Sequence, residues 1–238
     1  DLREERIELK SNFLIYICVL FVFQSAYSQT DKEGFADRFS IDSCAFSTKG
    51  ENTYFILQPG FQLVLEGIED DDTSRVVITV LNETRIVGGI ETRVVEENES
   101  VNSKIIEISR NFFAYCKETG DIFYFGEEVD MYKNGKLSGH SGAWLAEGNN
   151  RAGIIMPGKY VTGYKYYQEI APGEAMDRAE IISISETFKT PAGDFTSVLK
   201  TRETNPLKPK EKEYKHYAPG IGQIQDEHLL LVKYGYVK

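Results

Sequence analysis

The sequence predicts an all-β fold, a single antiparallel meander forming a closed or half-open barrel of roughly ten strands. Three observations carry this expectation. From Tyr54 onward, turn chemistry recurs at short intervals: Gln58-Pro59-Gly60, residues 69–72, Val87-Gly88-Gly89, Thr119-Gly120-Asp121, Asn134-Gly135, Ala171-Pro172-Gly173, Pro191-Ala192-Gly193 and Ala218-Pro219-Gly220. Gly, Pro, Asn and Asp are the residues that tight turns demand. Between the turns lie short runs rich in Val, Ile, Tyr, Phe and Thr, which suit a pleated, half-buried surface. Apolar residues at helical spacing are scarce beyond the first 28 residues, so helices have little place in the fold.

The first element stands apart. Residues 13–23 read FLIYICVLFVF, and Ala26-Tyr27-Ser28-Gln29 follows. An apolar run before a small-x-small cleavage site is the pattern of a secretory signal peptide, so residues 1–28 are expected to direct export and then be removed. The run is 11 residues long, short of the roughly 20 that a membrane-spanning helix needs. Cys18 lies inside it, and Cys44 follows Ile41-Asp42-Ser43, so no lipid-attachment motif is evident. The expected destination is periplasmic or extracellular, with no stable membrane insertion once the signal is gone.

Residues 29–52 are polar and weakly patterned and predict a poorly ordered lead-in. Residues 53–238 are long enough for one sizeable core and show no composition break. Strands are expected over 61–68, 75–81, 90–96, 104–116 and 122–125. Asn134-Gly135, between residues 129–132 and 136–137, is a strong two-residue hairpin signal. Residues 139–163 interrupt the rhythm with six glycines and hold the single tryptophan, Trp144. This stretch predicts a long loop over one end of the barrel. Strands over 164–170, 176–186, 195–204 and 211–218 complete the meander.

The formal net charge is −10, and −9 after removal of residues 1–28, which carry three basic and four acidic side chains. Such a balance argues against nucleic acid or an anionic membrane surface as partner. It suits cationic ligands, metal ions or solubility alone. Cys44 and Cys116 remain after cleavage; an oxidising compartment permits one bridge between them, and two separate buried thiols fit the sequence equally well. Three histidines and no C-x-x-C signal no zinc site. A G-x-S-x-G elbow, a phosphate-binding glycine loop, H-E-x-x-H and a dinucleotide fingerprint are all absent from the sequence.

The C-terminal meander carries the chemistry. Centring each hairpin on its turn places Glu169 opposite Glu180, Glu180 opposite Glu203 or Thr204, and Glu203 opposite Glu213. Four glutamates then share one level across four strands, because directly opposed residues share a face. Their same-parity neighbours include Tyr167, Ile182, Leu199, Thr201 and Tyr217, while the other parity carries Lys200, Arg202, Lys212 and His216. The glutamates therefore belong to the more apolar, interior face, where desolvation raises carboxyl pKa values. Such a row could hold a divalent cation through hard oxygen ligands, hold an amine, or act as an acid/base pair. It could equally be an ion-pair network neutralised by Arg178 and Lys215, which fall on the same face. Glu127 closes the aromatic run 122–128, and Trp144 is the candidate to cover the mouth against a ligand.

The chain resembles a group of exported bacterial β-barrel proteins with no established activity. The resemblance spans residues 54–225 and rests on Leu57-Gln58-Pro59-Gly60, Phe123-Tyr124-Phe125-Gly126-Glu127, Ala143-Trp144-Leu145-Ala146-Glu147-Gly148, Tyr167-Gln168-Glu169, Ala171-Pro172-Gly173-Glu174-Ala175 and Tyr217-Ala218-Pro219-Gly220-Ile221-Gly222. It implies an exported β domain and transfers no catalytic residue. The general architecture is also similar to lipocalin-like and lipoprotein-carrier half-barrels, a likeness at fold level only. The expected function is that of a small-ligand-binding barrel. Its cation or amine would be held by Glu169, Glu180, Glu203 and Glu213, beside Tyr167, Tyr217, Glu127 and Trp144. A carboxylate-dependent hydrolase or isomerase and a structural protein without a pocket are the alternatives.

Overall fold

The computed structural model describes residues 30–237, so the export segment expected at 1–28 lies outside the described residues. A 3-10 turn over Ile41–Ser43 precedes the strands. In chain order these are β1 (Phe46–Ser47), β2 (Gly50–Asn52), β3 (Phe55–Leu57), β4 (Phe61–Glu69), β5 (Asp72–Val87), β6 (Ile90–Val101), β7 (Lys104–Cys116), β8 (Ile122–Lys133), β9 (Lys136–Gly139), β10 (Trp144–Leu145), β11 (Arg151–Met156), β12 (Lys165–Tyr167), β13 (Glu169–Ile170), β14 (Arg178–Thr190), β15 (Gly193–Asn205), β16 (Lys208–Ala218), β17 (Gly222–Asp226) and β18 (Leu229–Tyr236).

The expected antiparallel meander is present, and its sheet is larger than anticipated. One 16-stranded sheet has a main path β12-β14-β15-β16-β17-β18-β4-β5-β6-β7-β8-β11-β13, with β1 pairing β7 and β9 and β10 pairing β8 beside it. Its terminal strands, β12 and β13, are consecutive in the chain and separated only by Gln168. The sheet therefore curls round until its two edges meet, giving a nearly closed barrel. The seam is tight. The Asp177 carbonyl accepts the backbone N–H of both Gln168 and Glu169, at 2.7 and 3.1 Å. Gly153 of β11 passes so near the seam that a Cβ there would lie 2.3 Å from the Gln168 carbonyl oxygen.

Turn chemistry sets the strand pairing as the sequence suggests. Asn134 and Gly135 take φ values of 54° and 71°, placing Lys133 opposite Lys136. Asp70 and Asp71, also at positive φ, form the solvated turn between β4 and β5. The turns at 70–71, 102–103, 134–135, 206–207 and 227–228 lie at one end of the barrel and the remaining hairpin turns at the other.

The lead-in expected to be poorly ordered is instead built into the wall. Ala36 bridges Tyr166 along the free edge of β12, giving its N–H to Lys165 and accepting that of Tyr167. The segment then crosses the outside of β8, where Phe46 packs edge-on against Phe123 and Phe125 and Phe39 against Phe123. It ends on β7, where Phe46 pairs with Cys116 and a disulfide joins Cys44 to Cys116. This strap leaves both faces of 122–125 buried, where a simple barrel wall would show alternation.

The β2–β3 hairpin fills the barrel end opposite the 70–71 turn. Asn52 Nδ2 donates to the Gly120 and Pro157 carbonyls, Thr53 accepts from the Gly220 N–H, and the Tyr54 hydroxyl donates to the Ser197 carbonyl. Above this plug sits an apolar floor that includes Leu57, Leu63, Val80, Val95, Phe113 and Ile224. The stretch 139–163 is no mouth-covering loop. Its glycine-rich links connect β10 and β11, which both pair with β8 as part of the wall.

Candidate functional site

Above the apolar floor the interior face changes character. On β6 the face that begins with the core residue Val95 continues as Glu97 and Glu99, and β7 sets Glu107 opposite Glu99. On β8, Glu127 lies opposite Asn111 of that same face. On the other side of the barrel, Glu203 of β15 lies opposite Glu213 of β16, and Lys215 opposite Asp226 of β17. Glu169 and Asp177 come from the seam. Carboxylates thus converge on the interior from six strands, β6, β7, β8, β15, β16 and β17, and from the β12–β14 junction.

Glu203 is the best-satisfied of them. Its Oε1 accepts from Gln168 Nε2 at 3.1 Å, Thr201 Oγ1 at 3.4 Å and the Tyr217 hydroxyl at 3.5 Å. Its Oε2 lies 3.1 Å from the Lys215 ammonium, which also reaches Asp226 at 3.5 Å. Burial alone would lower the Lys215 pKa, but Asp226 and Glu203 outweigh it and raise the value well above the ordinary one. By contrast, Glu97, Glu99, Glu127, Glu169 and Glu213 have no cation within 4 Å among the described residues.

The consequence is a set of reluctant acids. Desolvation, with Glu99, Asp226 and Glu107 nearby and Lys215 opposing, pushes Glu97 up to about 7. Desolvation and Glu107 take Glu99 to about 7. Glu127 reaches about 8, through burial first and then the charges of Glu97 and Glu107. Burial and Asp177 hold Glu169 well above the carboxylate range. Burial also raises Glu107 and Glu213. Each shift is the signature of a charge removed from water without sufficient compensation.

Two cavities occupy this region. One, of about 210 Å³, is lined by Glu169, Asp177, Glu203, Glu213 and Lys215. The other, of about 320 Å³, is lined by Glu97, Glu99, Glu213, Asp226 and Glu227. Glu213 belongs to both.

Of the residues singled out from sequence, Glu169, Glu203, Glu213, Tyr217 and Glu127 come together inside the barrel. Glu180 does not. The Pro191-Ala192 turn sets Thr190 opposite Gly193, a register that would bring Glu180 opposite Glu203. Bulges along β14 and β15 then add a net residue to β14, and Arg202 faces Glu180 instead. Glu180 accordingly forms an outer-face ion pair with Arg202. The pairing of Glu169 with Glu180 is likewise overturned, because β12 sets Lys165 opposite Glu180 and Glu169 leaves to pair with Ala152.

Tyr167 is also outside, donating to Asp31 Oδ2 at 2.9 Å and packing against Phe35. Arg178 is drawn outward with it, pairing with Asp31 at 3.3 Å and Glu33 at 2.8 Å. Trp144 is only 4% exposed and covers no mouth. It lies opposite Glu127 and edge-on to Tyr124, with its indole N–H unpartnered. Glu97, Glu99, Asp177 and Asp226 were not among the sequence candidates. The parity of Val95, Glu97 and Glu99 could have revealed the first two.

A hard divalent ion needs six to eight oxygens within about 2.6 Å. Among the described residues, the only three potential ligands whose donor atoms lie within 4.8 Å of one another are Cys44, Cys116 and Glu118. Both of those cysteines are in the disulfide. The interior carboxylates are spread along the walls rather than focused on a point. No family model, curated protein or solved structure matches the chain.

Proposed function

We propose that the chain is an exported binding protein that takes a small organic cation, an amine, into the acidic half of its barrel. One observation carries this reading: Glu97, Glu99, Glu169 and Glu213 line two interior cavities with no cation within 4 Å of their carboxylates among the described residues. Half-buried like charges are destabilising, and a chain that keeps several of them together commonly has a use for them. An ammonium entering the interior would neutralise the carboxylates and fill their acceptor sites. Its methylenes would meet the apolar floor. The dispersed carboxylates favour an amine over a divalent metal. The expected signal segment, together with the Cys44–Cys116 bridge, supports an oxidising, extracytoplasmic location.

The test is calorimetric titration of the purified protein with putrescine and spermidine at pH 8, alongside calcium and magnesium. Saturable amine binding that weakens at least tenfold in Glu97→Gln/Glu169→Gln, with the variant still folded, is the expected result. Absence of heat and of any melting shift at millimolar amine would leave the carboxylates as a purely structural network. Mass spectrometry of protein recovered from the exporting cell should find Gln29 as the first residue; a retained residue 1–28 segment would remove the export reading.

A further inference from the structure

We infer that the interior is a two-ended receptor for a linear diamine, with one ammonium bound in each cavity. This rests on the amine reading above and specifies its substrate class. The two cavities are distinct in their walls: the smaller draws its acids from the seam and β15, the larger from β6 and β17. They meet at Glu213, which lines both. A ligand with a charge at each end and a methylene chain between matches that division. A single ammonium would neutralise one cavity and leave the other's carboxylates unpaired.

The barrel already holds an alkylammonium of its own. The Lys215 Nζ is gripped by Glu203 on the smaller-cavity side at 3.1 Å and by Asp226 on the larger-cavity side at 3.5 Å. An ammonium presents three donors; two of those directions are answered here by carboxylates contributed from each side. The same wall chemistry, repeated in both cavities around this junction, suits the two ends of a diamine.

A second observation points to an occupant. His228 lines the larger cavity, and its buried Nε2 has no hydrogen-bond partner, while its Nδ1 lies 3.6 Å from Glu69. Buried polar atoms are almost always paired. With the imidazole proton on Nδ1, the Nε2 lone pair is an acceptor for a ligand ammonium. Arg75 and Lys208 also line the cavities, but each is engaged on the rim, Arg75 with Glu66 and Lys208 with Glu211 at 3.2 Å.

The experiment is a calorimetric series at pH 8: butylamine and hexylamine against unbranched α,ω-diamines of three to eight carbons, on wild type, Glu169→Gln and Glu99→Gln. Joining two sites in one ligand multiplies affinity on the order of 10²-fold when the linker length fits. The expected result is a sharp chain-length optimum at which the diamine binds on the order of 10²-fold tighter than its monoamine. Either single variant, each altering one cavity, should bring the diamine down to monoamine affinity. Equal binding of mono- and diamines, or a diamine series without an optimum, overturns the two-ended receptor while leaving amine binding intact. Binding of no amine at all, by wild type that melts cooperatively, overturns both. Thermal melts of the two variants guard against misfolding, since removal of a desolvated carboxylate is expected to leave them at least as stable as wild type.

Discussion

At the scale of single residues, the interior acids set opposite expectations for acid and base removal. Glu97 and Glu127 sit near 7 and 8 because burial first, and then the charges of Glu99, Asp226 and Glu107 on the one and of Glu97 and Glu107 on the other, disfavour ionisation. A tenfold change in proton affinity corresponds to about 1.4 kcal/mol. Allowing for water reaching half-buried groups, Glu97→Gln or Glu127→Gln should stabilise the ligand-free protein at pH 8 by roughly 1–2 kcal/mol. Chemical denaturation at pH 8 and pH 5 checks this; the gain should shrink markedly at pH 5, where both carboxyls are protonated in the folded chain. Lys215 is the reverse case. Lys215→Met leaves Glu203 and Asp226 facing each other without their shared cation. It should cost up to about 3 kcal/mol, the lower end for a buried pair because Lys215 is only half buried. Individual identities were partly legible in the sequence. Glu203 opposite Glu213 was legible by centring the hairpin near Lys208, although the turn itself pairs Asn205 with Lys208 and extra residues on β16 then shift the register; Glu180 was misplaced by bulges that no local composition announces.

At the scale of elements, the seam and the strap decide whether the sheet closes. Gly153 must lack a side chain because the Gln168 carbonyl occupies the space of a Cβ. Gly153→Ala should cost about 1–3 kcal/mol, the range for forced overpacking, and hydrogen exchange should quicken first at residues 151–156 and 165–170. The strap contributes through its disulfide. Closing a 72-residue separation is worth about 2–4 kcal/mol in a typical protein. Reduction should lower the melting temperature accordingly and free residues 30–47 for proteolysis; an unchanged melt with dithiothreitol would show that the Phe46 and Phe39 contacts suffice alone. The sequence hid this element because its anchoring is long-range. Residues 30–47 look like a polar lead-in until Cys116 and Tyr166 are set beside them. The 139–163 stretch misled in the same way. Its glycines read as a loop, but Gly153 and Gly158 are spots where neighbouring backbones press close, and β10 and β11 are short wall strands.

At the scale of the whole molecule, the acidic interior ties stability to pH. Glu97, Glu99 and Glu127 keep their protons to about 7, 7 and 8 in the folded chain, against an ordinary carboxyl value near 4.3 unfolded. Between these limits the folded state binds more protons than the unfolded one. Its stability therefore falls as pH rises from about 4.5 through 8. Melting temperatures measured without amine should decline across that window, and a flat profile would mean the carboxyls are better hydrated than their burial implies. Amine binding should run the other way, strengthening with pH and releasing protons near pH 7. Titrations in buffers of different ionisation enthalpy count those protons directly. The barrel itself was the most legible feature, because turn residues and strand periodicity are local signals. The acidic interior was less so: which side of a strand faces inward changes with every bulge.

The strap also fixes an order of events in biosynthesis. Ala36 is made early, yet its partner Tyr166 appears 130 residues later, and Cys44 must wait for Cys116. A chain emerging N-terminus first carries this segment unclaimed while the wall strands assemble hairpin by hairpin. Docking of the strap across β8 must wait until Cys116 and Tyr166 have been made. Such distant pairings are slow to form. Until it happens, the free edge of β12 and the aromatic outer face of β8 stay available to other chains. Cells making this protein quickly would thus meet their aggregation risk in that interval, and an oxidant that forms the Cys44–Cys116 bridge would shorten it.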